Sequence, residues 1–374
     1  MNLYETAFWT KKASTATIIF TIFLFSIILV VAFIGKVTQI INQPGPEKPQ
    51  NGYGAQIVTP IRSSLSVKDF KPTFSIETPS GKLPSFDQYN NILNIYKLQE
   101  KSRNLASDAL SRQIGSKLDF KAQPTITKDI IYFWRENGRN LTVNRQYNIF
   151  EYYVDKANPV PSDVNTFDIN DSSTTFVNLI NALGVTLPQS DNQQSYKVVG
   201  QYVDYDFNQK LATKSKQGNQ SKYVRLNVTR SIIAKSSINE MVDFFDSNSN
   251  INSIVIPNIR TITLADIVLI NNYNWNIDVT SNQTYQIKDV DSAFSDLSSQ
   301  KYPLISAAFA KDETNVDGET IKSVNQLRIL DIKLGYYLTK DTQLFIQPIY
   351  VFTCEGTTSL GDTINLTYYI PALL

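Results

Sequence analysis

The sequence predicts an α+β protein in which an N-terminal transmembrane helix precedes tandem modules that each pack a helix on an antiparallel sheet. Two observations support this fold class. One uncharged apolar run lies near the N-terminus, and the order of a helix followed by strands recurs three times after residue 90. Helices packed on one face of antiparallel strands are typical of α+β domains. The 374 residues are enough for one membrane anchor and two or three such modules.

The apolar run is long enough to cross a bilayer as a helix. Residues 13–35 carry no charge, and at about 1.5 Å per residue they reach about 34 Å against a hydrocarbon core of about 30 Å. Two lysines precede the run and one follows it, so the positive-inside rule assigns residues 1–12 to the cytoplasm. A cleaved signal peptide is the alternative, although its apolar region is usually shorter. We therefore predict a single-pass plasma-membrane protein with a transmembrane helix over 13–36 and an extracytoplasmic C-terminal part.

The segment after the predicted span is polar and interrupted by proline and glycine. Residues 42–54 contain three prolines and three glycines, and neither residue type readily continues a helix. Residues 37–90 are therefore predicted to form an extended linker or stalk.

The first module, residues 91–170, is predicted from a strand, a helix and a hairpin. Residues 91–99 alternate apolar and polar side chains, whereas 104–120 place apolar residues on one helical face. Asn137 and Gly138 separate two runs rich in aromatic and β-branched residues. This dipeptide favours a type I′ turn, because both of its positions need positive φ.

The second and third modules are predicted from the same order of elements. Residues 171–283 begin with a helix over 173–185 and continue with alternating strands. Residues 284–374 begin with the strand 284–288, after which Asp289 is expected to cap a helix by accepting N–H groups of its first turn. Three strands of one antiparallel sheet are expected to close the chain.

Composition excludes several classes of function. The chain has 35 Lys+Arg against 34 Asp+Glu, and its densest lysine stretch, 208–222, has polar spacers typical of a solvated loop. We therefore predict no nucleic-acid binding. Histidine is absent and Cys354 is the only cysteine, which excludes Ser-His-Asp and Cys-His catalysis, histidine zinc sites and an intramolecular disulfide. We predict no catalytic residue, no cofactor and no metal, and expect Cys354 to be a packed residue.

Two groups of acidic residues leave alternatives open. The loop 311–322 contains four acidic side chains and one glycine, and such a loop can bind Ca²⁺, but its spacing does not fit the EF-hand pattern. A solvated hairpin loop is the other interpretation. The pairs Asp204/Asp206 and Asp289/Asp291 could serve glycosidase chemistry, which needs two carboxyl groups about 5–10 Å apart. A wet strand face and a helix cap are the alternatives for these pairs.

Aromatic side chains provide a candidate binding surface for a glycan or a peptide. The candidate aromatics are Trp134, Trp275, Tyr336, Tyr337 and Tyr350. Pro348 lacks the N–H that a strand ladder needs, which predicts an edge position or a bulge there. We therefore take Tyr336, Pro348 and Tyr350 as the candidate partner-binding surface. Cross-strand packing is the alternative interpretation of the aromatics.

The last module also resembles a known family. Residues 284–299 form the strand-then-helix opening, and the segments ILDIKLGYYL, LFIQPIYVFTCEG and YYIPAL follow. This order resembles the extracytoplasmic bacterial regulators of the YycH/YycI type and the related PepSY modules. The resemblance implies PepSY/YycI-like modules in a cell-envelope protein that binds another protein, such as a sensor kinase, or a wall polymer.

Taken with the absence of catalytic motifs, these patterns predict a membrane-anchored extracytoplasmic binding or regulatory protein that is not an enzyme. A structural or assembly component of a surface or secretion apparatus is one alternative. A carboxylate-based cell-wall hydrolase is another.

Overall fold

The computed structural model places most of the described residues in β-strands. It describes residues 10–13, 21, 23–31, 48–54, 59–63, 65, 67, 69–100, 105–128, 130–147, 149–156, 167–185, 187, 193–235, 238, 240–246, 252–273, 276–340 and 343–374. The chain divides into two units, residues 1–48 and residues 49–374. All strands given below belong to the second unit.

The first unit contains the predicted membrane span. Its described helical residues are 10–13, 21 and 23–31, whereas a bilayer requires about 20 apolar residues in one helix. The rest of the predicted span lies outside the described residues. No helix in the described part of the chain is both long and apolar enough to cross a membrane. The predicted transmembrane helix over 13–36 is therefore wrong, and so is the single-pass membrane location with its cytoplasmic and extracytoplasmic sides.

In the second unit, seventeen strands of described residues are linked by hydrogen bonds into one sheet system. The strands are β1 Thr73–Ile76, β2 Ile92–Leu98, β3 Thr125–Thr127, β4 Ile131–Glu136, β5 Arg139–Asn144, β6 Ile149–Val154, β7 Gln194–Asp206, β8 Leu211–Lys214, β9 Tyr223–Lys235, β10 Glu240–Asp246, β11 Asn252–Pro257, β12 Leu269–Asn272, β13 Ile277–Gln286, β14 Leu304–Phe309, β15 Gln326–Leu338, β16 Phe345–Thr357 and β17 Thr363–Pro371. The helices of this unit are α1 Leu105–Lys117, α2 Ser172–Ala182, α3 Val290–Ser298 and α4 Gly318–Lys322.

The middle sheet region, made of β3–β9, β11 and β12, is antiparallel. Its strands follow the order β3-β4-β5-β6-β12-β11-β9-β7-β8. Helices α1 and α2 contribute Ile114 and Phe176 to its apolar core. Gly115 lets α1 approach this sheet, because a Cβ at that position would lie 2.9 Å from the Trp134 ring.

The terminal sheet region, made of β1, β2 and β13–β17, is mixed. Strands β14-β17-β16-β15 are antiparallel, whereas β1 pairs with β15 in parallel. Strand β2 pairs with β13 and with the first residues of β16. Helices α3 and α4 contribute Ala293 and Ile321 to the core of this region.

Strand β10 joins the two regions, because it pairs with β9 through residues 240–243 and with β15 through residues 244–246. Strands of the three predicted modules thus pair with one another, as β2 with β13 and β10 with β15 do. The predicted fold class of tandem PepSY-like helix-on-sheet modules is therefore wrong, and the fold is one large mixed β-sheet system. Alternating patterns identify strands, but they do not specify which distant strand becomes the partner.

Two local predictions are confirmed. Asn137 and Gly138 have φ values of 50° and 72° in the turn between β4 and β5. Asp289 caps α3, where its side chain accepts the N–H of Ser292 at 2.7 Å. Both features depend on nearby residues alone.

Candidate binding pocket

Tyr336 and Tyr350 lie in the core of the terminal region. Tyr336 is 0% exposed, and its hydroxyl donates to the carbonyl of Asn94 at 2.6 Å. Tyr350 is 1% exposed, and its hydroxyl donates to the carbonyl of Lys288 at 2.8 Å. Both tyrosines therefore bind other parts of the chain through their polar atoms.

Pro348 is buried in a strand with neighbours on both sides. It stands opposite Tyr336 on β15, and its carbonyl accepts the N–H of Ala372 at 3.0 Å beyond the end of β17. An antiparallel pair of this kind would exchange two hydrogen bonds, but proline has no N–H to return. The carbonyl of Ala372 accepts the N–H of Lys288 at 2.8 Å instead. The expected edge position or bulge is thus a central strand, and Tyr336, Pro348 and Tyr350 together form no exposed surface.

The other aromatic candidates do not enlarge this surface. Trp134 and Tyr337 are buried, and Trp275 lies outside the described residues. Cys354 is buried as well, and burial raises the pKa of its thiol to about 12. Trp134, Tyr337 and Cys354 are packing residues of three separate apolar clusters.

Three of the four paired carboxylates already have partners within the chain. Asp289 caps α3, and Asp291 lies in the first turn of the same helix. Asp204 accepts the hydroxyl of Ser215 at 3.0 Å. Asp206 accepts two backbone N–H groups of the turn after β7, at 2.8 and 3.1 Å.

The acidic loop 311–322 contacts the lysine-containing loop 208–222. Lys214 pairs with Glu313 at 2.7 Å and Lys216 pairs with Asp312 at 3.0 Å. A further acidic side chain of the loop, Asp317, caps α4. Among the described residues, no group of three or more His, Cys, Asp and Glu side chains is arranged to hold a metal ion. The acidic loop and the lysine-containing loop, which the sequence did not connect, thus form ion pairs with each other.

A pocket of about 740 Å³ opens where α1 ends beside the turn between β4 and β5. Small-molecule sites usually measure about 300–1,000 Å³. The residues that line the pocket are Lys117, Leu118, Asp119, Asn137, Gly138, Arg139, Tyr152, Val154, Asp155, Lys156, Leu264 and Ala265. Three cationic side chains thus face two carboxylates around a partly apolar floor.

The end of α1 fixes one wall of this pocket. Asp119 has a φ of 62°, and the N–H groups of Asp119 and Phe120 bond back to the carbonyls of Ser116 and Gly115, both at 3.0 Å. This pattern is a Schellman C-cap. Arg139 donates to the carbonyls of Leu118 and Asp119 at 3.0 and 3.1 Å. The guanidinium is therefore held by backbone groups rather than by a carboxylate.

The charges around the pocket differ in how they are compensated. Asp119 pairs with Lys121 at 2.5 Å, and the hydrogen bond from Lys121 lowers the pKa of Asp119. Asp155 accepts the side-chain amide of Asn140 at 3.1 Å but forms no ion pair with a described residue. Lys117 and Lys156 are exposed, and neither is ion-paired within the described part of the chain. Two ammonium groups thus remain available to a ligand.

Tyr152 forms the buried part of the pocket lining. It is 2% exposed, and its ring packs edge-to-face on Phe120 with 6.3 Å between the ring centroids. Its hydroxyl has no hydrogen bond to any described residue. Burial raises the pKa of this hydroxyl, against an opposing effect of the Arg139 charge, so at neutral pH it is a protonated donor.

A second pocket, of about 510 Å³, brings together three residues that the sequence singled out. Tyr350, Asp289 and Asp291 all line it at the start of α3. The hydroxyl of Tyr350 and the carboxylate of Asp289 are already hydrogen-bonded within the chain. This pocket therefore offers a ligand fewer open polar groups than the first.

Comparisons with known proteins do not assign the chain to a family. No protein-family model matches the sequence, and a search of curated proteins finds no match. A crystal structure of an uncharacterised protein from Eubacterium rectale is similar at 12% identity and a TM-score of 0.31, over 74% of this chain and 82% of the other. A likeness at this level supports no argument about function. The resemblance to YycH/YycI-type regulators stays a prediction.

Proposed function

We propose that this protein is a non-catalytic binding protein whose pocket beside the end of α1 receives an anionic group of its ligand. One observation carries the proposal, namely that Tyr152 lines the pocket and its hydroxyl has no hydrogen bond to any described residue. An anionic oxygen is the acceptor that such a donor bonds most strongly, because charge-assisted hydrogen bonds are about twice as strong as neutral ones.

The positive charge of Arg139 also favours an anionic ligand. Its guanidinium has five N–H donors, of which two bond to the carbonyls that end α1. Arg139 forms no salt bridge with a described carboxylate, although the charge of Asp119 lies close enough to interact with it, and its guanidinium lines the pocket. A ligand oxygen bound by Tyr152 would therefore also be stabilised by the charge of Arg139.

The rim lysines would act at longer range. Lys117 and Lys156 are exposed and unpaired within the described part of the chain, so they would attract an anion without fixing its geometry. Such attraction weakens as salt rises, because the Debye length falls from about 10 Å at 0.1 M to about 3 Å at 1 M. We therefore expect binding that depends strongly on ionic strength.

Binding rather than catalysis is proposed because Asp119, Asp155, Asp206 and Asp289 already have structural partners. A glycosidase needs one protonated and one ionised carboxyl group facing a substrate. Asp119 in the pocket is paired with Lys121, and Asp155 is held by Asn140. The sequence pairs are likewise used, Asp289 for a helix cap and Asp206 for a turn.

The experiment compares retention of the full-length protein on polyphosphate, heparin and polygalacturonate matrices at 50 and 500 mM NaCl. We expect retention on at least one matrix at low salt, and its loss in the Lys117→Gln/Lys156→Gln variant. Lys97→Gln/Lys197→Gln is the matched control, because it removes two exposed lysines outside the pocket. No retention on any matrix, or an equal loss in the control, would show the proposal to be wrong.

A further inference from the structure

We infer that the ligand is an acidic saccharide, a sugar that carries a carboxylate beside free hydroxyl groups. This inference rests on the proposed function and adds the chemical class of the ligand. It comes from the one pocket group that a simple anion does not use, the carboxylate of Asp155.

Asp155 would repel a simple anion in this pocket. Asp119 is compensated by Lys121, whereas Asp155 forms no ion pair with a described residue. Its orientation is fixed, because the side-chain amide of Asn140, which is 3% exposed, donates to one carboxylate oxygen at 3.1 Å. The pocket thus contains a positioned acceptor as well as cationic donors.

A ligand with both an anion and hydroxyl donors would use both kinds of group. Its carboxylate would accept from the hydroxyl of Tyr152 near the charge of Arg139, and its hydroxyls would donate to Asp155. Such hydroxyl-to-carboxylate bonds are charge-assisted and short. Sugar rings combine one carboxylate with neighbouring hydroxyls, whereas polyphosphates and acidic peptides offer several negative charges and few donors.

The apolar part of the lining fits the same class. Leu118, Val154 and Leu264 provide hydrocarbon surface between the polar groups. The C–H face of a sugar ring can cover such a surface while its hydroxyls reach the rim. Ligand sites generally combine an apolar lining with a few polar groups that fix orientation.

The experiment is calorimetric titration of the full-length protein with tetragalacturonate, using maltotetraose, polyphosphate and a tetra-aspartate peptide as comparison probes. We expect tetragalacturonate to bind, the other three to bind at least about 10-fold more weakly, and Tyr152→Phe to weaken tetragalacturonate by about 10-fold. Asp155→Asn should weaken tetragalacturonate by about 10-fold and leave polyphosphate unchanged or tighter. Asp331→Asn, in β15 and outside the pocket, is the matched control and should change neither.

The outcomes separate this inference from the proposed function. If polyphosphate or the peptide binds as tightly as tetragalacturonate, or if Asp155→Asn tightens tetragalacturonate, the saccharide inference is wrong while anion binding stands. If none of the charged probes binds, both fail. Circular dichroism and thermal unfolding of each variant exclude loss of fold, and equal weakening by Asp331→Asn would overturn the role of Asp155.

Discussion

Two of the contacts between the middle and terminal sheet regions differ in their chemistry. The tyrosine contact, made by Asn94, Tyr96 and Tyr336, is fully buried and bonds to backbone carbonyls. The ionic contact, made by the pairs Lys214–Glu313 and Lys216–Asp312, is exposed on its lysine side, with Lys214 52% and Lys216 72% exposed, whereas the Asp312 side chain is 7% exposed. Because both contacts connect the same two regions, a comparison of their contributions to stability shows which of them holds the two regions together.

The tyrosine contact combines packing with specific hydrogen bonds. The hydroxyl of Tyr96 donates to the carbonyl of Ile233 in β9 at 2.5 Å. That of Tyr336 donates to the carbonyl of Asn94 within the terminal region at 2.6 Å and to the carbonyl of Ala234 in β9 at 3.4 Å. The two rings pack edge-to-face with 5.9 Å between their centroids. Removing a buried partner leaves a desolvated group unpaired, whereas exposed ion pairs are usually worth only about 0–1 kcal/mol. The buried contact should therefore dominate the stability of the junction.

The largest effect is expected from truncation of Tyr336. Tyr336→Ala removes a fully buried aromatic side chain, and we expect a loss of about 3–5 kcal/mol in the free energy of unfolding. Tyr336→Phe keeps the ring and removes only the hydroxyl that donates to Asn94 and Ala234, so we expect a loss of about 1–3 kcal/mol in the free energy of unfolding. Urea unfolding followed by tryptophan fluorescence measures both. Equal losses in the two variants would show that the hydroxyl, not the packing, carries the contact.

A smaller loss in the free energy of unfolding is expected from substitution of Gly335, where β10 and β15 are paired. A Cβ at this position would overlap the ring of Phe245 and lie 2.8 Å from the carbonyl oxygen of Asp243. Gly335→Ala should therefore force the strands apart and cost about 1–3 kcal/mol, as overpacking does. Gly361→Ala provides no matched control because its φ is positive, but Gly318→Ala, with open space around its Cβ, does. A loss in the control as large as that in Gly335→Ala would contradict the steric explanation.

The parts of the fold that the sequence predicted correctly depend on neighbouring residues. The turn at Asn137–Gly138 and the cap at Asp289 each follow from the backbone geometry of a few positions. The pairing of β10 with β15 joins residues 244–246 to residues 336–338, and no local pattern specifies it. Helical residues 23–31 also matched an apolar helix, but apolarity did not establish the length that a membrane requires.

The same distinction explains the candidate sites. Tyr336 and Tyr337 lie on opposite faces of β15, and both faces are covered, the second by Ile61 and Phe245. The pocket was missed because Lys117, Tyr152 and Asp155 come from α1 and the end of β6. The predicted turn at Asn137–Gly138 is the part of the pocket lining that the sequence identified.

The ionic contact is expected to contribute less than the packing at Gly335. Lys214→Gln/Lys216→Gln removes both cations of the contact, and we expect a loss below about 1 kcal/mol for each pair in 50 mM NaCl. The loss should shrink in 0.5 M NaCl, because salt screens exposed charges. Unfolding of wild type and variant at the two salt concentrations measures this. If the double variant loses more unfolding free energy than Tyr336→Phe does, the ranking of the two contacts is reversed. If salt leaves the loss unchanged, the exposed charges do not cause it.

The smallest effect on the free energy of unfolding is expected from the titration of Asp312. Hydrogen bonds from Thr314, together with Lys216, lower the pKa of this carboxyl to about 2 from its usual value near 3.8. Because the folded pKa is depressed, the contribution of Asp312 to stability is present above the unfolded pKa and is lost as the pH falls from about 4 to about 2. Asp312→Asn should therefore narrow the difference in the free energy of unfolding between pH 5 and pH 2.5. If wild type and Asp312→Asn lose stability in parallel over this range, the carboxylate does not stabilise the ionic contact, and the exposed contact contributes through Glu313 and Lys214 alone.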